Sequence, residues 1–454
     1  MVRCLLVLER HLPQLEFLGT SKRQLSRLPF LAQQLPLPPF PFIMIICLTS
    51  NTAWNLTHFR LKHMMALLDM GVEVHAIAPP DGTEGKLADL GVKFHPWIIE
   101  RRSMNPTKEL VSIRRLQKIY QEIKPDLVHH YTVKAVLYGT AAARLCGIKG
   151  IVNSVTGLPY IIVSPKKGLL KRMARWVAMR WYGWAVSGKR HATILQNQDD
   201  LELLSSFAPK VKSNAIVTNG SGVDLVRFAQ QPKRDRYSES PVNVLFVGRF
   251  LKEKGVFELM DSVREMRGQN VPFEMHMCGD FDPGNRSSAT VDDLAQWKRE
   301  GLVDWSGRLD DVRGKLAAAD IVVLPSYREG TPRSLLEAMA VGRPLVATDV
   351  PGCRNVVQDS VNGFLVESHN SSMLANAMAK LIEDEDLRER MGEASREIAE
   401  AKFDEREVIR QTVEVYCRLS SKMPAVEHWI EESAVPVPAL NEQVVYDAAL
   451  PIAS

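Results

Sequence analysis

Short apolar runs recur along the chain, each followed by residues with helical spacing. Ile43-Met44-Ile45-Ile46-Cys47-Leu48, Val72 to Ile77, Leu127-Val128-His129-His130 and Ile151 to Ser154 form a first series. Their length and β-branched content predict buried parallel strands. Between them the pattern predicts a helix from about Asn55 to Met70, ended by Gly71, and helices near 107–124 and 135–145. A second series starts at Val242 to Val247 and continues with Phe273 to Met277, Val303 to Trp305, Ile321 to Leu324 and Pro344 to Ala347. Helical patterns at 369–421 follow. Strand and helix in alternation predict the α/β class: two doubly wound domains with a cleft between them. Ligands then sit at the C-terminal ends of the strands.

Three segments break the pattern. Residues 1–42 hold a short apolar patch, a basic stretch and a proline cluster. They read as a disordered extension, or as upstream sequence with the start at Met44. Gln230 to Pro241 is polar and reads as a linker, and 422–454 as a polar tail that does not fold. The folded units are therefore expected at 43–229 and 242–402, with a last helix at 403–421. The chain has 454 residues and a formal net charge of +4, which does not demand nucleic acid as a partner. Six scattered cysteines without a C-x-x-C pair argue against a zinc site and for a reducing compartment. No apolar run has the ~18 residues of a membrane span.

The candidate chemistry lies in the second series. Tyr327-Arg328-Glu329-Gly330-Thr331-Pro332 follows the strand Ile321 to Leu324 and precedes a helix carrying Glu337. Thr331 suits an N-cap and Pro332 the first helical position. The loop amides and helix N-terminus predict an anion site, with Glu329 at its mouth. Glu337, about two turns in, places the carboxylates roughly 8–10 Å apart, suited to an extended ligand with phosphates between. Gly248-Arg249-Phe250-Leu251-Lys252-Glu253-Lys254-Gly255 follows the first strand of the same series. Its glycines let backbone approach a phosphate and its cations neutralise one. Gly279 and Gly307 end two further strands. The pairs Asp199-Asp200, Asp292-Asp293 and Asp310-Asp311 read as solvated acids, and the sequence offers no convincing D-x-D metal motif.

These elements resemble the E-x7-E and G-R-x-x-x-x-K-G motifs of the family 4 retaining glycosyltransferases, which have the GT-B fold of two Rossmann-like domains. The resemblance covers about 44–421. It implies that Arg249 and Lys254 hold the diphosphate of a nucleotide-sugar, Glu329 the donor sugar and Glu337 the ribose. Gly248, Gly279, Gly330 and Thr331 would complete the donor site. It implies no cofactor beyond that donor, expected to be UDP-linked, and no metal. It also implies that the last helix crosses back to the first domain.

In the first domain, the His58-Phe59-Arg60 ending of the first loop, Ser103-Met104-Asn105-Pro106 and Thr156-Gly157-Leu158-Pro159-Tyr160 are similar to elements of one bacterial branch. That branch extends undecaprenyl-diphosphate-linked glycans and includes N-acetylgalactosaminyltransferases. His129-His130-Tyr131-Thr132-Val133-Lys134 resembles its His-x-His-x-x-Lys loop, with Tyr131 at the second His. His58 and His129, at strand ends, are the candidates on the acceptor side. From Lys166 to Arg190 there are eight cations and no acid, interleaved with Leu169, Leu170, Met173, Trp176, Val177, Trp181 and Trp184. A basic amphipathic helix with tryptophans suits an anionic membrane surface.

The reading is a hexosyltransferase, peripheral on the inner face of the cell membrane. It would move a hexose or N-acetylhexosamine from a UDP-sugar to a lipid-linked saccharide in polysaccharide, lipopolysaccharide or glycan assembly. A UDP-sugar 2-epimerase on the same fold is the rival enzyme, needing neither acceptor nor membrane helix. An inactive sugar-nucleotide-binding subunit is the rival outside catalysis.

Overall fold

The computed structural model describes residues 43–99, 105–163, 168–231, 241–282 and 284–423. The expectations for 1–42, for 232–240 of the linker and for the tail from 424 lie outside these residues. So do Ser103 and Met104 of the first-domain motif and Lys166 and Lys167 of the basic run.

Two parallel sheets organise the chain. The first has β1 (Ile45–Thr49), β2 (Glu73–Ala78), β3 (Lys93–Pro96), β4 (Leu127–Tyr131), β5 (Gly150–Val155), β6 (His191–Leu195) and β7 (Ala215–Val217). Its order is β3-β2-β1-β4-β5-β6-β7. The second has β8 (Val242–Val247), β9 (Phe273–Cys278), β10 (Asp304–Trp305), β11 (Ile321–Leu324), β12 (Leu345–Thr348) and β13 (Gly363–Val366), in the order β10-β9-β8-β11-β12-β13. In each sheet the order reverses beside the first strand, where β1 pairs with β4 and β8 with β11. A crevice opens at the strand C-terminal ends there. These are the two Rossmann-like domains of a GT-B fold. The central strands are buried on both faces, which explains their continuous apolar runs.

The pattern missed β3, β6, β7 and β13. β3 alternates in polarity and β7 has only three residues, so neither has an apolar run long enough to stand out. The helix expected over 55–70 is two, Ala53–Phe59 and Leu61–Asp69. The break is at Arg60, whose backbone leaves the helical region (φ −129°, ψ 4°) while its guanidinium lies over the Tyr131 ring, 4.5 Å from the centroid. The 135–145 helix opens with a π-turn, Ala135–Gly139, before Thr140–Leu145.

The chain passes twice between the sheets, and the two passages are stitched together. Val223 N–H donates to Phe403 O (2.7 Å) and Glu405 N–H to Val223 O (3.1 Å). Asn219 Nδ2 donates to Lys402 O (2.8 Å). Lys62 in the first domain forms ion pairs with both Asp224 and Glu405. The last helix, Glu405–Leu419, buries Ile409, Val413, Val415 and Tyr416 in the same apolar cluster as Ile46, Leu48 and Val74 of the first sheet.

Candidate active site

The site is built where loops leave the C-terminal ends of β8, β9 and β11. After β8 the chain runs through Gly248 and Arg249 into a short 3-10 turn, Lys252–Lys254. Gly279, after β9, lies so close to this loop that a Cβ would come 1.8 Å from Gly248 O, and its φ of 147° excludes most side chains. After β11 comes the loop with Glu329. Tyr327 N–H donates to Glu253 O (2.9 Å), which ties the Glu329 loop to the turn carrying Lys254. Lys254 Nζ and Glu329 Oε1 form an ion pair, both side chains largely buried. Arg249 reaches outward, 58% exposed, with Nη1 3.1 Å from Asp282 Oδ2.

The helix that follows is Arg333–Ala340, with Pro332 as its N-cap. Thr331 therefore does not cap it. Its Oγ1 donates across the cleft to Gln196 O (3.0 Å). Glu337 is the fifth helical residue, in the second turn rather than at its end. It accepts from Arg333 Nε at 2.7 Å. Burial raises the Glu337 carboxyl pKa, and the Arg333 charge opposes the rise.

The first domain holds the Glu329 loop in place. Asn197 Nδ2 donates to Gly330 O (2.8 Å), and Arg328 forms an ion pair with Asp200. A Cβ on Gly330 would lie 2.3 Å from Gln196 Oε1 and 2.7 Å from Thr156 O, so only glycine permits this approach. Asp200 is fully buried, which corrects the expectation of a solvated acid; burial raises its pKa against the pull of Arg328. Gln196, Asn197 and Asp200 carry no motif that marks them as part of a site. The one local signal is Asn197 as N-cap of Gln198–Phe207, accepting from Asp200 N–H at 2.7 Å.

His58 lies at the cleft, half-buried. Its Nδ1 is 3.0 Å from Trp54 O and its ring stacks on Trp54 (4.5 Å between centroids). Burial lowers its pKa, so it is neutral near pH 7. His129 is in the core of the first domain instead. Its Nδ1 meets the hydroxyls of Tyr416 (2.5 Å) and Tyr131 (3.0 Å), and its Nε2 that of Ser154 (2.7 Å). Burial, with help from His63 and Arg60, drives its pKa well below the usual value. Tyr131, where the branch has its second His, belongs to this interior network, and His63 Nδ1 lies 3.2 Å from its hydroxyl.

Among the described residues no group of three or more His, Cys, Asp or Glu side chains is placed to hold a metal, and Cys47, Cys146, Cys278 and Cys353 are free thiols. No described helix is long and apolar enough to cross a membrane. The basic run forms the helix Leu169–Val186, with Leu170 82%, Leu169 74% and Trp176 64% exposed. Lys171, Arg172 and Arg180 are exposed on it as well.

Comparisons with known proteins agree with this architecture. The family model described as "Glycosyl transferases group 1" matches residues 228–398, and "Glycosyl transferase 4-like" matches 45–182. The N,N'-diacetylbacillosaminyl-diphospho-undecaprenol alpha-1,3-N-acetylgalactosaminyltransferase of Campylobacter jejuni is 28% identical over 387 residues, 83% of this chain and 99% of that protein. An Escherichia coli UDP-Gal:alpha-D-GlcNAc-diphosphoundecaprenol alpha-1,3-galactosyltransferase is 25% identical, over 63% of this chain and 74% of its own length. Among solved structures, Anabaena HepE in complex with UDP and glucose superposes with a TM-score of 0.67 at 20% identity, covering 83% of this chain and 100% of that one. Fold, loop architecture and family matches define the class: the chain is a glycosyltransferase with the GT-B fold, related to family-4-like enzymes.

Proposed function

We propose that this enzyme transfers a hexose or N-acetylhexosamine, with retained anomeric configuration, from a UDP-sugar to a saccharide on undecaprenyl diphosphate. The product would be an intermediate of a surface polysaccharide or glycan. The observation that carries the reading is the meeting of Lys254 and Glu329 at the ends of neighbouring strands, with Arg249 on the same loop and Glu337 in the helix beyond. In this reading Arg249 and Lys254 hold the diphosphate, Glu329 the donor sugar and Glu337 the ribose. Gly248, Gly279, Gly330 and Thr331 shape the loops around them.

The bond from the anomeric carbon to the phosphate oxygen breaks as negative charge grows on the leaving group. Fixed cations and the amides around Gly330 stabilise that charge. The acceptor hydroxyl attacks the same face, and its proton passes to the departing phosphate oxygen. No separate strong base is then required. This fits the neutral, core-bound His129, whose place in the reading is to hold the acceptor domain together. His58 remains the acceptor-side residue at the cleft.

The exposed apolar side chains and cations of Leu169–Val186 support docking on an anionic membrane surface, where a lipid-linked acceptor resides. The enzyme is then peripheral on the inner face of the cell membrane. The test is release of UDP from a panel of UDP-sugars, with and without membrane extract containing lipid-linked glycans. Release from one donor that depends on extract is expected. Release or epimerisation without any acceptor would replace the reading with a 2-epimerase, and no binding of any UDP-sugar would reject it.

A further inference from the structure

Arg333 contacts both domains at once. Its Nε–H donates to Glu337 Oε1 (2.7 Å) within the second domain. Its Nη1–H donates to His58 O (3.2 Å) at the end of the first-domain helix Ala53–Phe59, and its guanidinium carbon lies 5.3 Å from the Phe59 ring centroid. The last carbonyls of a helix lack intrahelical partners, so a cation there is well placed. A second guanidinium reaches the same helix: Arg308, in the loop after β10, lies 5.5 Å from the Trp54 ring centroid. Trp54 stacks on His58 and meets Phe59 edge-on at 5.0 Å. The short helix thus presents Trp54, His58 and Phe59 as one aromatic unit to two cations of the other domain.

We propose that Arg333 is a positioning residue that couples the ribose-binding carboxylate of Glu337 to the placement of the acceptor-side helix Ala53–Phe59. Resting on the donor reading above, the inference adds a residue to which that reading gives no role. Arg333 holds one oxygen of Glu337 and so fixes the orientation in which the other meets a ribose hydroxyl. Through its other nitrogen it carries that orientation to the loop that receives the acceptor. A nucleoside in the donor site then steadies the helix, and a well-placed helix favours nucleoside binding, the reciprocity that linkage requires. The planar, forked guanidinium serves two acceptors in fixed directions, which a lysine ammonium does not.

The test compares wild-type protein with Arg333→Ala and Arg333→Lys, using UDP as the ligand. UDP affinity is measured by calorimetry, and hydrogen exchange of peptides covering 53–60 is followed with and without UDP. Wild-type protein should bind UDP and show slowed exchange over 53–60. Arg333→Ala should bind UDP about ten-fold more weakly, from the loss of one charge-assisted hydrogen bond, and lose the UDP-dependent protection. Arg333→Lys should keep UDP affinity within about three-fold, because the charge beside Glu337 remains, yet still lose the protection. A purely local role would move affinity and leave protection intact, which overturns the coupling. Affinity and protection both unchanged in Arg333→Ala overturn it as well. Absence of UDP binding by the wild type would instead sink the donor reading, and this inference with it.

Discussion

Replacing Lys254 with methionine keeps most of the side chain's volume and removes its charge, and the structure says what that should cost. The ammonium sits against Glu329 with only 23% and 12% of the two side chains exposed. On the proposed reading its loss removes a charge-assisted bond to the donor diphosphate, worth about 1.5–3 kcal/mol. It also leaves Glu329 uncompensated beside the phosphates. At about 6 Å and an effective dielectric constant of about 20, that repulsion adds ~3 kcal/mol. Together these predict a fall in kcat/KM of about 10³–10⁴-fold. Lys254→Met/Glu329→Gln should recover roughly a hundred-fold in UDP affinity, the repulsive share, while activity stays low because Glu329 no longer holds the sugar. UDP release under limiting donor measures the first figure and calorimetric titration with UDP the second, with circular dichroism to verify folding. A Lys254→Met enzyme within ten-fold of wild type would refute the reasoning, as would a double variant that binds UDP no better than the single one.

Two further predictions concern the first domain. His63, His129 and His130 are fully buried, and burial above all pushes their pKa values down, to about 3 for His63 and about 4 for His130. They stay neutral in the fold while the unfolded chain protonates near pH 6.5, so stability is lost as pH falls below that value. With up to ~1.4 kcal/mol per pH unit from each imidazole, Tm should drop steeply between pH 6.5 and 4.5, and a flat Tm over that range would contradict the buried network. On the exposed helix, Leu170→Ser/Trp176→Ser should weaken sedimentation with phosphatidylglycerol vesicles by about 10–100-fold without changing UDP affinity. Wild-type protein that ignores such vesicles would remove the membrane assignment.

The meeting of the Lys254 and Glu329 loops was legible because each motif is local. Each motif follows a strand and opens a turn or helix, and doubly wound topology brings the ends of neighbouring strands together whatever their separation in sequence. Lys254 and Glu329 meet across 75 residues for that reason. Contacts between domains obey no such rule. Asp200 lies in a polar run that looks solvated, and only Arg328, 128 residues on, reveals why it is buried. The apolar run ending in His129-His130 reads as if His129 stood at a strand end, but in the structure it is the middle residue of β4, and its partner Tyr416 arrives 287 residues later on the last helix. Thr331 and Pro332 show the same limit on a smaller scale. Local capping preferences favoured Thr331, and the bond to Gln196 across the cleft drew its hydroxyl away.

The helix Glu405–Leu419 fixes the timetable of synthesis. Ile409, Val413, Val415 and Tyr416 are made after both sheets, yet they fill the apolar cluster of the first one. As translation proceeds from the N-terminus, strands β1 to β7 emerge early and wait, with that cluster uncovered, until the ribosome has finished nearly the whole second domain. The first domain is thus the earliest to be made and the last to be sealed. A released chain that ended near residue 402 would present a complete second domain joined to an unsealed first domain, a species exposed to aggregation.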